Sequence, residues 1–415
     1  MTMRILLMNQ FFPPDAAPTG ELLADVAERL ADEGWEVRVV CGRSAYAADG
    51  QREVAQVRVS RAAALPFGRG RVARVLSYGS FLAAALYRGL TGPRPDVVLT
   101  MTTPPLLCLV GRAVQALRRS RHVMWEMDLY PDVAVGLGVL QPGAWSAQAL
   151  GALADACRRR ADAIIVLGDC MRRRLAGHGI PEEKIEVADN WADGERIRPL
   201  GKQPSGTLNV LYAGNLGLPH DTETIQRVME ELREDRRFRF TFSGGGSRRA
   251  ALEAFCRARG LRNVEFLPYC GRDQQAELLG RADVGLVTQL PGSLGCLVPS
   301  KIYGLMAAGK PVLFIGPREA HAAGVILREE CGWQAECGDW KTVIALLREL
   351  AERPGLLQRA GHKAREALLR NYGRGAGTAR IAAVIKRAAA QEAQRKAAVA
   401  RPGKDKLEEP FQAGG

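Results

Sequence analysis

Acidic residues almost vanish from one stretch of this 415-residue chain. Between Arg58 and Arg121 stand eleven arginines and a single acid, Asp96, so +10 of the total formal charge of +13 falls there. Long apolar runs are missing too. None approaches the roughly 18 residues of a membrane-spanning helix, which excludes an integral helical membrane protein. Met1 to Arg4 leads directly into Ile5–Met8, an apolar strand candidate, so a cleaved leader is not expected. CxxC pairs are absent. Nine cysteines occur singly, an odd count, which speaks against a disulfide framework and for reduced, mostly buried thiols in a cytosolic protein. The five histidines stand apart from one another, so a metal cage finds no support and the metal expectation is none.

The arginine-rich segment contains one apolar helix candidate, Val72-Val75-Leu76-Leu82-Leu86-Leu90, flanked by Arg69, Arg71, Arg74 and Arg88. Two readings stay open. It is a basic amphipathic surface resting on anionic lipid, each cation adding about 1 kcal/mol, or an ordinary core helix with solvated arginines. Nucleic acid is the weaker partner, because no reading motif accompanies the charge.

What the chain does contain is a repeated strand–loop–helix texture. Strands are expected at 4–8, 35–40, 96–100, 123–127 and 163–166, and a second series at 208–213, 238–243, 264–267, 284–287 and 312–315. Such alternation specifies an α/β protein built from two Rossmann-like, doubly wound parallel sheets. The expected division is 1–200 for the first half and 201–370 for the second. A helix over 371–396 crosses back to the first half, and 397–415 is a disordered tail. Gly201 to Gly206 has linker composition.

Ligands of open parallel sheets bind at the carboxyl ends of strands. Three glycine-bearing loops are expected to converge there: the loop from Asn9 to Gly20, the turn Gly214-Asn215-Leu216-Gly217, and the segment Pro299-Ser300-Lys301. The last opens a short helix, with Ser300 as N-cap, Gly309 as the left-handed C-terminal residue and Pro311 as terminator. Unpaired N–H groups, about half a positive charge from the helix dipole, and Lys301 together suit a diphosphate. Asp128 ends a strand beside the same cleft. It either acts on substrate or makes a loop hydrogen bond before Pro131. Glu126 points the other way, His122 lies too far back to be more than structural, and His220 is a minor candidate near the phosphate turn.

These segments resemble the family 4 glycosyltransferases of the GT-B fold, and within them bacterial enzymes of capsule, O-antigen or colanic-acid assembly. The matching pieces are Phe11-Phe12-Pro13-Pro14 through Gly20, Asp128-Leu129-Tyr130-Pro131, Lys184 to Asn190, Leu211 to Gly217, Ala282 to Leu286, and Pro299 to Val312. The resemblance implies a UDP- or GDP-sugar donor held mainly by the second half and a polyprenyl-linked or glycan acceptor held by the first. It implies transfer with retention and without a metal; no cofactor is expected, and the basic 58–121 segment suggests a cytoplasmic protein in peripheral contact with the inner face of the cell membrane. Gly20 would approach the donor phosphates or the acceptor, and Gly214, Asn215 and Gly217 would lie beside the diphosphate. Tyr269 and Cys270 would hold the base through their backbone, and Pro299, Ser300 and Lys301 would complete the donor site. Asp128 and Lys301 are the catalytic candidates. The pattern departs from the family at two places. Cys296 and Gly304 stand where two glutamates eight residues apart are usual, and Asn215 and His220 replace the usual Arg and Lys. Lys301 is then the main cation, with Arg248 or Arg249 behind it. A sugar-nucleotide epimerase and a non-catalytic membrane-surface protein are the competing readings.

Overall fold

The computed structural model describes residues 2–15, 17–43, 52, 54–62, 65, 70–201 and 206–399, with the side chains of 71, 72, 74 and 391–399 left out. The expected tail lies outside the described residues from 400 onward, as do linker residues 202–205.

Two parallel sheets dominate. The first contains β1 (Arg4–Met8), β2 (Glu36–Cys41), β3 (Arg58–Arg61), β4 (Val97–Thr100), β5 (Arg121–Glu126), β6 (Ala163–Val166) and β7 (Ile185–Val187). Its order is β3-β2-β1-β4-β5-β6-β7. The second contains β8 (Leu208–Ala213), β9 (Phe238–Ser243), β10 (Val264–Leu267), β11 (Val284–Thr288), β12 (Val312–Ile315) and β13 (Gly332–Ala335), in the order β10-β9-β8-β11-β12-β13. Both are doubly wound sheets with one reversal of strand order, between β1 and β4 and between β8 and β11. Crevices for ligands open at such reversals.

Central strands such as β4 and β12 are buried along their whole length. That is why they read as continuous apolar runs. Three strands were not anticipated from sequence: β3, β7 and β13. All three are sheet edges. β3 is Arg-Val-Ser-Arg, β7 has three residues, and β13 opens on a glycine. An edge strand has one neighbour and needs little hydrophobicity to pair, so its pattern is faint.

The first helix, Pro18–Asp32, begins earlier than Glu21, where its apolar pattern suggests a start, because Pro18 presets the first helical φ. It packs with the last helix, Arg374–Val399, on one face of the first sheet. Leu23, Val26, Ile381 and Ile385 share that core. Arg374 bonds Asp25 at 2.7 Å and also reaches Glu28. Where the chain crosses between halves, Ala192 and Gly373 form a parallel bridge. All nine cysteines are unbridged and seven are buried. Among the described residues no helix is long and apolar enough to cross a membrane.

In the layer covering the other face, Arg158 is 2 % exposed at its side chain. Its Nε lies 3.0 Å from Glu126, itself 3 % exposed, and its Nη2 donates to the Tyr130 carbonyl at 3.2 Å. Glu126 is committed to Arg158 in this buried layer; strict alternation would set it on the same face as Asp128, two residues on, so the strand pattern alone does not separate the two. Removing one partner strands the other as an unpaired buried charge. Arg158→Ala is therefore expected to lower unfolding free energy by about 3 kcal/mol or more, read by chemical denaturation. Adding Glu126→Leu should recover a large part of the loss.

Candidate active site

The second sheet's reversal point is assembled from two strand ends. After β8 the chain turns at Gly214, whose φ of +129° suits only glycine. After β9 it turns again at Gly244. A Cβ built at Gly244 would stand 2.3 Å from the Gly214 carbonyl oxygen, so the two turns stack backbone on backbone. Gly214 N–H donates to Ser243 at 2.8 Å and Leu216 N–H to Gly245 at 2.7 Å.

Lys301 reaches into this point. A Cβ at Gly214 would lie 2.8 Å from its Cε. Its Nζ stands 3.1 Å from His220 Nε2 and 5.1 Å from the centre of the Tyr212 ring. His220 is buried, and its Nδ1 lies 2.8 Å from the Thr288 carbonyl at the end of β11. Burial, then the Lys301 charge, pulls His220 down to about 3, while burial lowers Lys301 to about 8. Among the described residues no carboxylate pairs with Lys301. Among the described residues its polar company is a neutral ring and a π-face, neither of which offsets its charge.

The other expected site residues are less uniform. The helix is Lys301–Ala307, seven residues, shorter than the expected Ser300 to Gly309. Ser300 adopts helical φ and ψ and makes no side-chain cap bond, so the predicted N-cap role is replaced by simple exposure at the helix start. Pro299 is buried before it. The C-terminus is as expected: Gly309 has φ +65°, with Lys310 N–H to Leu305 and Gly309 N–H to Met306. Asn215 is exposed, and its carbonyl accepts from Tyr212 Oη at 2.8 Å. Gly217 is buried against the Asn215 amide. Arg249 is not a reserve cation. It donates to the carbonyls of Gly244 and Leu267 and pairs with Glu253 at 2.6 Å, pinning the turn after β9. Arg248 donates to Leu218 O at 3.3 Å. Tyr269 is exposed, and Cys270 Sγ donates to Gly271 O at 3.2 Å. Gly20 lies inside the first helical turn, where a Cβ would come within 3.0 Å of the Phe11 backbone, so its smallness serves loop packing.

Two family models match the chain. The Glycosyl transferase 4-like domain covers residues 20–191, and Glycosyl transferases group 1 covers residues 194–367. The chain belongs to the glycosyltransferases. It is 27% identical over 334 residues to the putative colanic acid biosynthesis glycosyl transferase WcaI of Escherichia coli (strain K12), covering 74% of this chain and 82% of that protein. Its fold is similar to a sucrose-phosphate synthase from Thermosynechococcus elongatus, with a TM-score of 0.72 at 17% identity over 96% of this chain and 100% of the other. Anabaena HepE in complex with UDP and glucose gives 0.69 at 15% identity, covering 92% and 99%. The architecture is therefore GT-B.

In this glycosyltransferase the halves are stitched across the cleft. Asp128, just beyond β5, forms an antiparallel bridge with Leu297, and Leu129 N–H donates to Cys296 O at 2.7 Å. Burial, then the Glu126 charge, raises the Asp128 carboxyl to about 6. Cys296 is buried in that seam. Gly304, by contrast, has room: a Cβ there would meet nothing closer than Leu279 at 3.8 Å. Crowding at the Cβ position thus does not explain the missing second glutamate. Sequence reasoning missed a further tie. Asp189 Oδ1 lies 2.6 Å from His321 Nε2 and accepts from Tyr303 Oη at 3.1 Å. Burial pushes Asp189 up, but His321 outweighs it and holds the carboxyl below its usual range. Asp189 and Tyr303 fall in two of the matching segments and His321 in none, so only the docking of the halves brings the trio together.

The stacked turns generate a direct expectation. Gly244→Ala combines a φ of +120° with a backbone clash. It is expected to cost about 2 kcal/mol or more, seen as a lowered melting temperature, whereas the same change at exposed Gly245, with nothing near its Cβ, should be close to neutral.

Proposed function

We propose that this glycosyltransferase moves a sugar from a UDP- or GDP-sugar to a polyprenyl-linked or surface-polysaccharide acceptor, with retention and without a metal. The observation that carries this reading is the Lys301 ammonium at the β8/β11 reversal, unpaired with any carboxylate among the described residues. A diphosphate supplies the missing charge. WcaI, named for colanic acid biosynthesis, and HepE, crystallised with UDP and glucose, support a glycan product and a nucleotide-sugar donor.

In the proposed reaction, residues 201–370 hold the donor and residues 1–200 the acceptor. The bond between the anomeric carbon and the diphosphate oxygen breaks, and charge grows on that oxygen. Lys301 stabilises this charge more than the ground state. The acceptor hydroxyl attacks from the face the diphosphate leaves, and its proton goes with the departing phosphate oxygen. Asp128, across the seam, accepts a hydrogen bond from that hydroxyl and orients it. Backbone groups at Gly214, Asn215 and Gly217 line the diphosphate, and those at Tyr269 and Cys270 face the base.

The enzyme is also proposed to sit on the inner face of the cell membrane. The helix Arg71–Thr91 buries Phe81 and Ala85, yet leaves Val75, Leu76 and Tyr87 more than half exposed. The apolar stripe is thus only partly used by the core, within the arginine-rich segment.

Lys301→Ala is expected to weaken UDP or GDP binding by about tenfold or more while leaving uridine or guanosine affinity unchanged, measured by calorimetry. Equal losses would exclude a diphosphate role. Wild-type diphosphate affinity should fall as pH rises through about 8, where Lys301 loses its proton, with His220, which lies beside both Lys301 and Arg248, neutral throughout. Flotation with vesicles containing anionic phosphatidylglycerol should carry the full chain, and Val75→Asp with Leu76→Asp should release it. Equal flotation of both would place the contact elsewhere.

A further inference from the structure

His220 occupies a position that the phosphate chemistry alone does not require. Its two ring nitrogens serve opposite partners. Nδ1 is 2.8 Å from the Thr288 carbonyl and Nε2 is 3.1 Å from Lys301 Nζ. A carbonyl oxygen only accepts, so Nδ1 carries the ring proton and Nε2 presents its lone pair. The ring edge meets Tyr212 at 5.6 Å and 81°, which fixes its plane. Tyr212 is itself tied by its hydroxyl to the Asn215 carbonyl of the glycine turn. The Thr288 strand end, the Gly214 turn and the Lys301 helix start are thereby linked through one imidazole.

We propose that His220 is a positioning residue for the donor diphosphate, a fixed-tautomer acceptor that aims the Lys301 ammonium at the Gly214 turn without neutralising it. The proposal rests on the reading of Lys301 as the diphosphate cation. An ammonium has three N–H donors. One is used by His220, and two remain for phosphate oxygens. A carboxylate in the same place would hold the ammonium as well, but it would cancel the charge the ligand needs and repel the ligand itself. A second cation, such as lysine, would repel Lys301 across about 3 Å. A neutral acceptor orients without either cost. Burial and the Lys301 charge keep the imidazole uncharged across the working pH range, which preserves that function.

Two isosteric replacements separate this role from simple packing. Asparagine places an amide N–H near the position of Nδ1 and keeps the Thr288 bond, but offers nothing to Lys301. Glutamine can place its oxygen near Nε2 and restore the acceptor. Calorimetry on the full chain with UDP and GDP, and with UMP and GMP as controls, is the measurement. For whichever base binds, His220→Asn is expected to weaken the diphosphate by about tenfold with the monophosphate unchanged, and His220→Gln to return within about threefold of wild type. Wild-type diphosphate affinity in His220→Asn, or no recovery in His220→Gln, would overturn the proposal. Lys301→Ala distinguishes the levels. If it leaves diphosphate affinity intact, the Lys301 reading fails and this one with it. If it weakens binding while His220→Asn does not, only the His220 role fails. Absence of diphosphate binding by the wild type overturns both. Should the variants not fold, nitrogen-15 NMR of the wild-type ring decides: a proton on Nδ1 and an Nε2 resonance that shifts when UDP or GDP is added support the role, and a proton on Nε2 overturns it.

Discussion

One charge organises the second half of this protein. The Lys301 ammonium is carried to the reversal point of a doubly wound sheet and held there by a lone pair and an aromatic face. Burying a cation without a counter-charge is unfavourable, and proteins ordinarily pair it. Its surroundings are built around the exception. The glycine turns stack closely enough that no Cβ fits at Gly244, Gly214 holds a φ of +129° against the Lys301 side chain, Arg249 is spent on locking the second turn, and Thr288 fixes the histidine that faces the lysine. Each of these is a structural interaction whose common consequence is a preorganised positive site, the arrangement that stabilises a departing diphosphate most effectively.

The departures from the family pattern acquire physical content in this setting. Cys296 lies where the backbone of one half pairs with the other, buried at a seam that also includes the Asp128–Leu297 bridge. An ionised side chain there would need its own partner. Gly304 is different, because a Cβ there would meet only ordinary contacts with Leu279 and Gln275; crowding at that atom does not account for the loss of the carboxylate. His220 stands where the family usually has a cation, and its neutral ring faces Lys301 at 3.1 Å. In the proposed donor site, Lys301 rather than the usual Arg and Lys would supply the charge, with His220 orienting it.

The two halves also share residues. Asp189 joins His321 and Tyr303, Glu21 pairs with Arg272 at 2.7 Å, and the last helix returns to complete the first core. These contacts tie the two halves together beside the seam where Asp128 bridges to Leu297.

By itself the sequence determined the class of fold, the buried central strands, the glycine turn at Gly214, the left-handed end at Gly309 and Lys301 as the cation of interest. All of these are local: an apolar run, a positive φ, a helix terminator. The edge strands β3, β7 and β13 were not legible, because an edge pairs through its backbone and leaves little pattern in its side chains. Nor was the engagement of Arg249, the exposure of Ser300, or the placement of Gly20 inside a helical turn. The tertiary structure alone decided that His220 faces Lys301 across 81 residues of chain and that Asp189 meets His321 across 132. Such pairs depend on how two sheets and two crossovers dock, and no periodicity along the chain records a contact made at that separation.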